Sequence, residues 1–479
     1  MGEMRGIAKD AAASVSRHMA TVVAGLITIP ILARTLGASR LGFWSFLGTT
    51  AFLLSLCDLG LSSATLRAAA GPRADLAKQA ARLAAICTAV LSAPAVAGCI
   101  VWMFATADKL PIDQRHDARV AVVIAMLAGV VGAVTQSSRS YAQGQGYIIP
   151  LAWARVSGVL TQFVVTVSCL AFGLRLRAVA IGFAAGTLVE AGLGLRAASD
   201  GKASRGLPGK ADRPELYRVA LASMLMNSAV ALAMRVDVIV LERVTDLATL
   251  GAYSVVQRIV DQGYTLVKQI GAALVPRLGL RAENRGATVS LGTMLVGTLN
   301  AVPFTALAIA GHGFIVAWAG SAVDLPILPI ALVWFAASAT ISSVECIATS
   351  SMSLSGDALA ASRYVMSGAV VNLALSIVGG LLFGAWAVAA ATTVGNSLVA
   401  VLVWRATRTH LGWSRAQVVA TMLPVGVGAA VSGMVAVASL RLGLPSLAAT
   451  ATAIVAGLAI ASVPIWRLNR TPMRIGTSS

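Results

Sequence analysis

The chain has 479 residues, 57% of them hydrophobic and only 12% charged, and it carries a formal charge of +18. Roughly a quarter of the residues of a soluble domain are charged, so so few charges exclude a water-clothed globule and place most of the chain in lipid. The excess of basic residues raises nucleic acid as a partner, but no clustered basic face is joined to a soluble module, and nucleic acid is not expected.

A bilayer span takes about 20 apolar residues, and the chain offers fourteen such stretches. They run approximately over 15–35, 43–66, 83–105, 119–138, 156–174, 178–196 and 218–240. They continue over 250–273, 289–311, 326–350, 364–384, 386–404, 417–439 and 447–466. Each is continuously apolar, whereas barrel strands alternate, so helices are expected throughout. The first seventeen residues carry charge but no short apolar core with a small-residue cleavage site, so the first span reads as an uncleaved anchor. The connections are too short for a soluble catalytic domain, and an enzyme is not expected.

Loop charge sets the orientation. With the N-terminus inside, 25 of the 37 Lys and Arg fall on inner segments and nine on outer ones; Arg235, Arg258 and Lys268 lie within spans. Both termini are therefore expected in the cytoplasm of a bacterial inner-membrane protein, and topology accounts for the positive charge. Five cysteines sit in apolar runs without a C-x-x-C pair, and four histidines lack ligand spacing, so neither a metal site nor a cofactor is expected.

Residues 196–218, "RAASDGKASRGLPGKADRPELYR", read as a cytoplasmic connector. Across it a repeat appears: "RTLGASRLGFWS" at 34–45 aligns without gaps on "RVTDLATLGAYS" at 243–254. Both copies fall at equivalent span junctions, which implies two like-oriented halves, an arrangement used by transporters whose lobes rock around a central site. The expected fold is all-α and polytopic: two parallel-repeat six-helix lobes plus two C-terminal helices. The expected division is an N-terminal lobe at 1–197, a connector at 198–217, a C-terminal lobe at 218–405, and two further helices with a cytoplasmic tail at 416–479.

At these residues the chain resembles the polysaccharide transporters, the O-antigen and exopolysaccharide flippases, of the multidrug/oligosaccharidyl-lipid/polysaccharide (MOP) exporter superfamily. The resemblance is carried by "LARTLGASRLGFWSF" (32–46), "DLGLSSATLR" (58–67), "RVDVIVL" (235–241), "LGAYSVVQRI" (250–259), "LVPRL" (274–278) and "FGAWAVAAATTVGNSLVA" (383–400). It implies two six-helix bundles enclosing a cavity, and movement of undecaprenyl-linked oligosaccharide from the cytoplasmic to the periplasmic leaflet. A lipid-linked oligosaccharide, membrane lipids, a coupling proton or sodium ion, and polysaccharide polymerase and assembly proteins are the implied partners.

Ionisable residues within spans are costly and tend to face cavities, so they are the first candidates for a site. Arg258, Asp261, Thr265 and Lys268 project within about an 80° arc of one helix. This stripe can meet a diphosphate, with Asp261 holding Arg258; alternatively Arg258 and Lys268 snorkel out of a tilted helix. Asn227 and Arg235 are further substrate candidates on the seventh span. Asp237, two residues beyond Arg235, points about 200° away and can serve as a structural partner. Arg17, at the mouth of the first span, either meets a phosphate or sets topology. Asp58, Glu190 and Glu345 join Asp261 as candidates for ion coupling, with helix-end or inter-helix hydrogen bonding as their structural alternative.

No G-x-x-x-x-G-K-S/T phosphate loop occurs, which argues against an ATP-driven pump. Two rival functions stay open: an ion-coupled drug or cation antiporter of the same superfamily, and, with less support, a membrane polysaccharide polymerase or ligase. The polymerase would need a large outer catalytic loop; the antiporter would need a carboxylate-rich cavity.

Overall fold

The computed structural model describes residues 19, 21–71, 74–198, 206–209, 212–272, 285–354 and 358–470. These form helices joined by short turns, and no strand occurs among them. In chain order they are α1 (Thr21–Leu36), α2 (Ala38–Leu53), α3 (Leu61–Ala69), α4 (Ala74–Ala107), α5 (Ile112–Gly144), α6 (Ile148–Ala171), α7 (Arg175–Ala198) and α8 (Arg213–Val244). Then follow α9 (Leu247–Ala272), α10 (Arg285–Ala319), α11 (Ile327–Leu354), α12 (Ala358–Phe383), α13 (Ala385–Leu411), α14 (Arg415–Arg441) and α15 (Ser446–Arg470).

Among the described residues, twelve helices are long and apolar enough to cross a membrane. The other two expected spans are also helices: α1, whose described part is short, and α9, which is interrupted by Arg258, Asp261 and Lys268. The 34 residues of α4 are about 50 Å long at 1.5 Å per residue, well beyond a hydrocarbon core of about 30 Å. Such helices tilt or project past the lipid, which is why the apolar runs underestimated their ends.

The expected second span is broken. A 3₁₀ turn at Leu54–Asp58 follows α2, Leu59 and Gly60 take left-handed φ values of 52° and 76°, and α3 restarts the helix. Asp58 makes the break possible. Its Oδ1 accepts from the Gly60 amide at 2.7 Å and its Oδ2 from the Ser62 amide at 3.2 Å, satisfying donors that a helix start otherwise leaves orphaned. A Cβ on Gly60 would lie 2.2 Å from the Ala220 carbonyl oxygen, so only glycine permits this turn to approach α8.

The described helices fall into two compact units, Met1–Gly251 and Ala252–Ser479. In the first, α5 packs on α3, α4 and α7, α6 on α7, and α8 on α2 and α3. In the second, α10 packs on α11, α14 and α15, α12 and α11 pack on α13, and α14 packs on α15.

Small residues make these contacts, as they must where lipid is as apolar as leucine and only close packing favours helix association. In the first unit α6 and α7 cross at Gly158 and Gly186: a Cβ on either would lie 2.8 or 2.6 Å from the other's carbonyl oxygen, with Gln162 beside Gly186 and Glu190 beside Gly158. In the second unit α12 and α13 cross the same way at Gly368 and Gly395, at 2.7 Å in both directions, with Asn372 and Val399 in the flanking places. Each residue of the second set lies 209 or 210 positions after its counterpart, within one residue of the 209 that separates 34–45 from 243–254. The internal repeat is therefore a repeat of helix-crossing geometry as well as of letters.

The two copies of that motif also meet. A Cβ on Gly42 of α2 would lie 1.9 Å from the Leu247 carbonyl oxygen, and one on Gly251 would lie 2.1 Å from that of Ala38. Because 38 and 42 align on 247 and 251, the contact is its own mirror under the repeat, and all four residues fall in the first unit.

Candidate functional site

Polar groups within the spans of the second unit collect on α9 and α11. Arg258, Asp261, Tyr264 and Thr265 are half-buried and Lys268 is exposed, so the stripe on α9 remains accessible. The Lys268 ammonium lies 5.8 Å from the centroid of the Tyr264 ring, one turn earlier, a cation–π spacing. From α11, Glu345 accepts a hydrogen bond from Thr349 and feels the charge of Lys268, as does Cys346. Tyr264 in turn senses Asp261 and Glu345. The structure thus brings together two expected groups, the α9 stripe and Glu345, that the sequence kept apart. The local balance becomes two cations to two carboxylates, where α9 alone has two to one.

The α8 candidates stand in the first unit. Asn227 is exposed; Arg235 is half-buried with its guanidinium 5.2 Å above the Phe52 ring of α2. The Arg235 Nε is buried and hydrogen-bonds to nothing among the described residues. Asp237 is only 1% exposed, consistent with its pointing away from Arg235. Arg17 lies outside the described residues.

Two expected coupling acids have structural work. Asp58 caps α3 with both oxygens, as above. Glu190 of α7 is held between Arg139 of α5 and Arg155 of α6, the latter at 2.7 Å, so one carboxylate ties three helices. Arg139 also donates to the Gly132 carbonyl oxygen at 2.9 Å. At the place in the second unit that corresponds to Glu190 stands Val399, so the ion triad belongs to one half only.

Two further polar groups escaped the sequence reading. Glu242, 2% exposed near the end of α8, binds Thr106 Oγ1 at 3.0 Å and the Lys109 ammonium at 2.8 Å, and Arg243 beside it stacks on Trp102 at 5.1 Å. In the second unit the Asn372 Oδ1 accepts from Ser376 at 3.1 Å and Thr392 at 3.4 Å, all three buried. Asn372, four residues after a crossing glycine, was the one legible signal.

Long apolar helices with charge carried inside the spans make this a multi-pass membrane protein, and its likeness to solved structures gives it a transporter fold. The fold is shared with a lipid II flippase, MurJ, in an inward closed conformation: TM-score 0.74 and 12% identity, covering 96% of this chain and 99% of that one. It is also similar to an inward-facing multidrug resistance MATE family transporter of the MOP superfamily, at TM-score 0.65 and 13% identity, over 82% and 94% of the two chains. A MATE transporter of Vibrio cholerae matches at TM-score 0.57 and 15% identity, over 87% of this chain and 100% of that one. These neighbours are a flippase and transporters rather than enzymes. The chain belongs to the family described as polysaccharide biosynthesis protein, whose model matches residues 7–279. No match was found among curated proteins by sequence.

Proposed function

We propose that this protein flips an undecaprenyl-linked oligosaccharide from the cytoplasmic to the periplasmic leaflet of the bacterial inner membrane by alternating access, serving O-antigen, exopolysaccharide or capsule assembly. The observation that carries the reading is the family match over residues 7–279, on a fold shared along 96% of the chain with a lipid II flippase. The physical problem is common to all such substrates. A diphosphate and a glycan cannot cross hydrocarbon unpaired, because unsatisfied polar groups cost several kcal/mol each.

Arg258 and Lys268 are the residues assigned to the diphosphate, with Arg17, Asn227 and Arg235 as further contacts. Asp261 and Glu345 are the acids proposed to exchange a coupling proton or sodium ion. Residues 1–197 and 218–405 serve as the two lobes, 198–217 as their connector, and 416–479 as an appendage, with both termini in the cytoplasm. Polysaccharide polymerase and assembly proteins would act on the product.

The test is complementation of a strain lacking this gene. Loss of two charge-assisted contacts, each worth about 1.5–3 kcal/mol, predicts that Arg258→Ala with Lys268→Ala lowers polysaccharide export about a hundredfold or more at unchanged membrane level. Unchanged export in the double variant would remove α9 from the mechanism.

The balanced charge on α9 and α11 favours one second reading, an ion-coupled antiporter for cationic drugs. In that case Glu345→Gln and Asp261→Asn would abolish drug efflux while polysaccharide export never depended on the gene.

A further inference from the structure

At one end of α13 and the start of α14 an open cavity of about 490 Å³ is lined by Arg405, Arg408, Thr409, Gly412 and Trp413. Its floor is a defined turn. Gly412, at φ 63°, ends α13; the Trp413 amide donates to the Arg408 carbonyl oxygen at 3.0 Å, and Arg408 Nε donates back to the Trp413 carbonyl oxygen at 3.1 Å. Ser414 and Gln417 then form a capping box that starts α14. The Trp413 ring packs 5.9 Å from that of Trp404, so the aromatic wall is held as well.

Arg405 and Arg408 are three residues apart and share a helix face, where like charges repel. Among the described residues neither guanidinium pairs with a carboxylate. Val401 and Val394, both exposed, continue that face along α13 toward the middle of the span, at steps of four and seven residues. A cationic cavity walled by tryptophan thus stands at the head of an apolar track. Free phosphate would need only the first; a lipid with an anionic headgroup uses both. Loop charge assigns this end to the cytoplasmic face, where anionic lipids and basic residues attract.

We propose that this cavity is a binding site for the phosphodiester of an anionic membrane phospholipid, with Arg405 and Arg408 on the phosphate, Trp413 at the interface and the acyl chain along Val401 and Val394. Trp404 and Trp413 pack on a core cluster that includes Val267 of α9, but neither arginine is among the residues assigned to transport, and the proposal does not depend on the substrate carried.

The test uses the full-length protein in phosphatidylcholine vesicles doped with brominated phosphatidylglycerol or brominated phosphatidylcholine. Quenching of Trp413 is read as the difference between the parent protein and Trp413→Phe. The expected result is half-quenching at a severalfold lower mole fraction of the anionic lipid. Arg405→Gln and Arg408→Gln should each raise that fraction about fivefold, and the corresponding lysine variants should largely restore it. Arg405 is exposed and takes no part in holding the turn, so its removal is expected to leave the unfolding midpoint unchanged, which separates loss of lipid binding from loss of structure. In a second arm inorganic phosphate is added to the detergent-solubilised protein. Thermal stabilisation by phosphate without any lipid preference in vesicles would overturn the lipid assignment, as would equal quenching by both lipids or undiminished selectivity in the double glutamine variant.

Discussion

Replacing Gly42 by alanine tests the repeat at the point where its two copies touch. The added methyl would stand 1.9 Å from the Leu247 carbonyl oxygen and 2.9 Å from the Gly251 amide nitrogen, against an ordinary contact of 3.4 Å or more. The partner atoms are backbone and cannot rotate away, so α2 and the first turn of α9 must separate by about 1.5 Å, an overpacking strain of about 1–3 kcal/mol. Gly251→Ala makes the reciprocal demand, 2.1 Å from the Ala38 carbonyl oxygen. Because one separation relieves both clashes, the double variant should cost little more than either single one, a coupling of about 1 kcal/mol or more. Unfolding midpoints in mixed SDS micelles measure the three losses, and spin labels at the partly exposed Ser39 and Ala248 measure the separation. No loss from Gly42→Ala, or strictly additive losses with an unchanged distance, would refute the crossing.

Two other substitutions probe groups that hold helices in place. Asp58→Ala strips the buried amides of Gly60 and Ser62 of their acceptors and should lower stability by about 2 kcal/mol, with Asp58→Asn losing less because one acceptor survives; SDS titration checks the order. Glu242→Gln removes the charge facing Lys109, whose side chain is 40% exposed and so remains partly solvated, and should cost about 1–2 kcal/mol rather than the larger sum of a fully buried pair. Adding Lys109→Gln to that variant should cost less than Lys109→Gln alone, and a double-mutant cycle by the same titration decides it.

Helix type and order were legible because long apolar runs have few alternatives in lipid. The break after α2 was not: "LLSLCDLGLSS" is apolar enough to read as continuous, and the left-handed turn depends on how Asp58 folds back on Gly60 and Ser62. An aspartate followed two places later by glycine was the available signal. The stripe of Arg258, Asp261 and Lys268 could be read from helical spacing, but the influence of Lys268 on Glu345 could not, since it acts from α9 on α11. Glu190 shows the same limit. Its partners lie 51 and 35 residues back in sequence, and only the packing of α5, α6 and α7 reveals a carboxylate held between two guanidinium groups. The short repeat at 34–45 and 243–254 pointed to two halves. The matching crossings at Gly158 and Gly368 lay hidden, because contacts made by glycine carry almost no letters to align.

The most direct measurement is movement of the lipid itself. The purified protein, reconstituted in vesicles with a fluorescently labelled undecaprenyl-diphosphate oligosaccharide, should carry label between leaflets, read as a rising fraction quenched by membrane-impermeant dithionite. Arg258→Ala with Lys268→Ala should abolish the rise. A quenched fraction in parent vesicles no greater than in protein-free ones, with the protein shown to be folded and inserted, would contradict the assignment as a flippase.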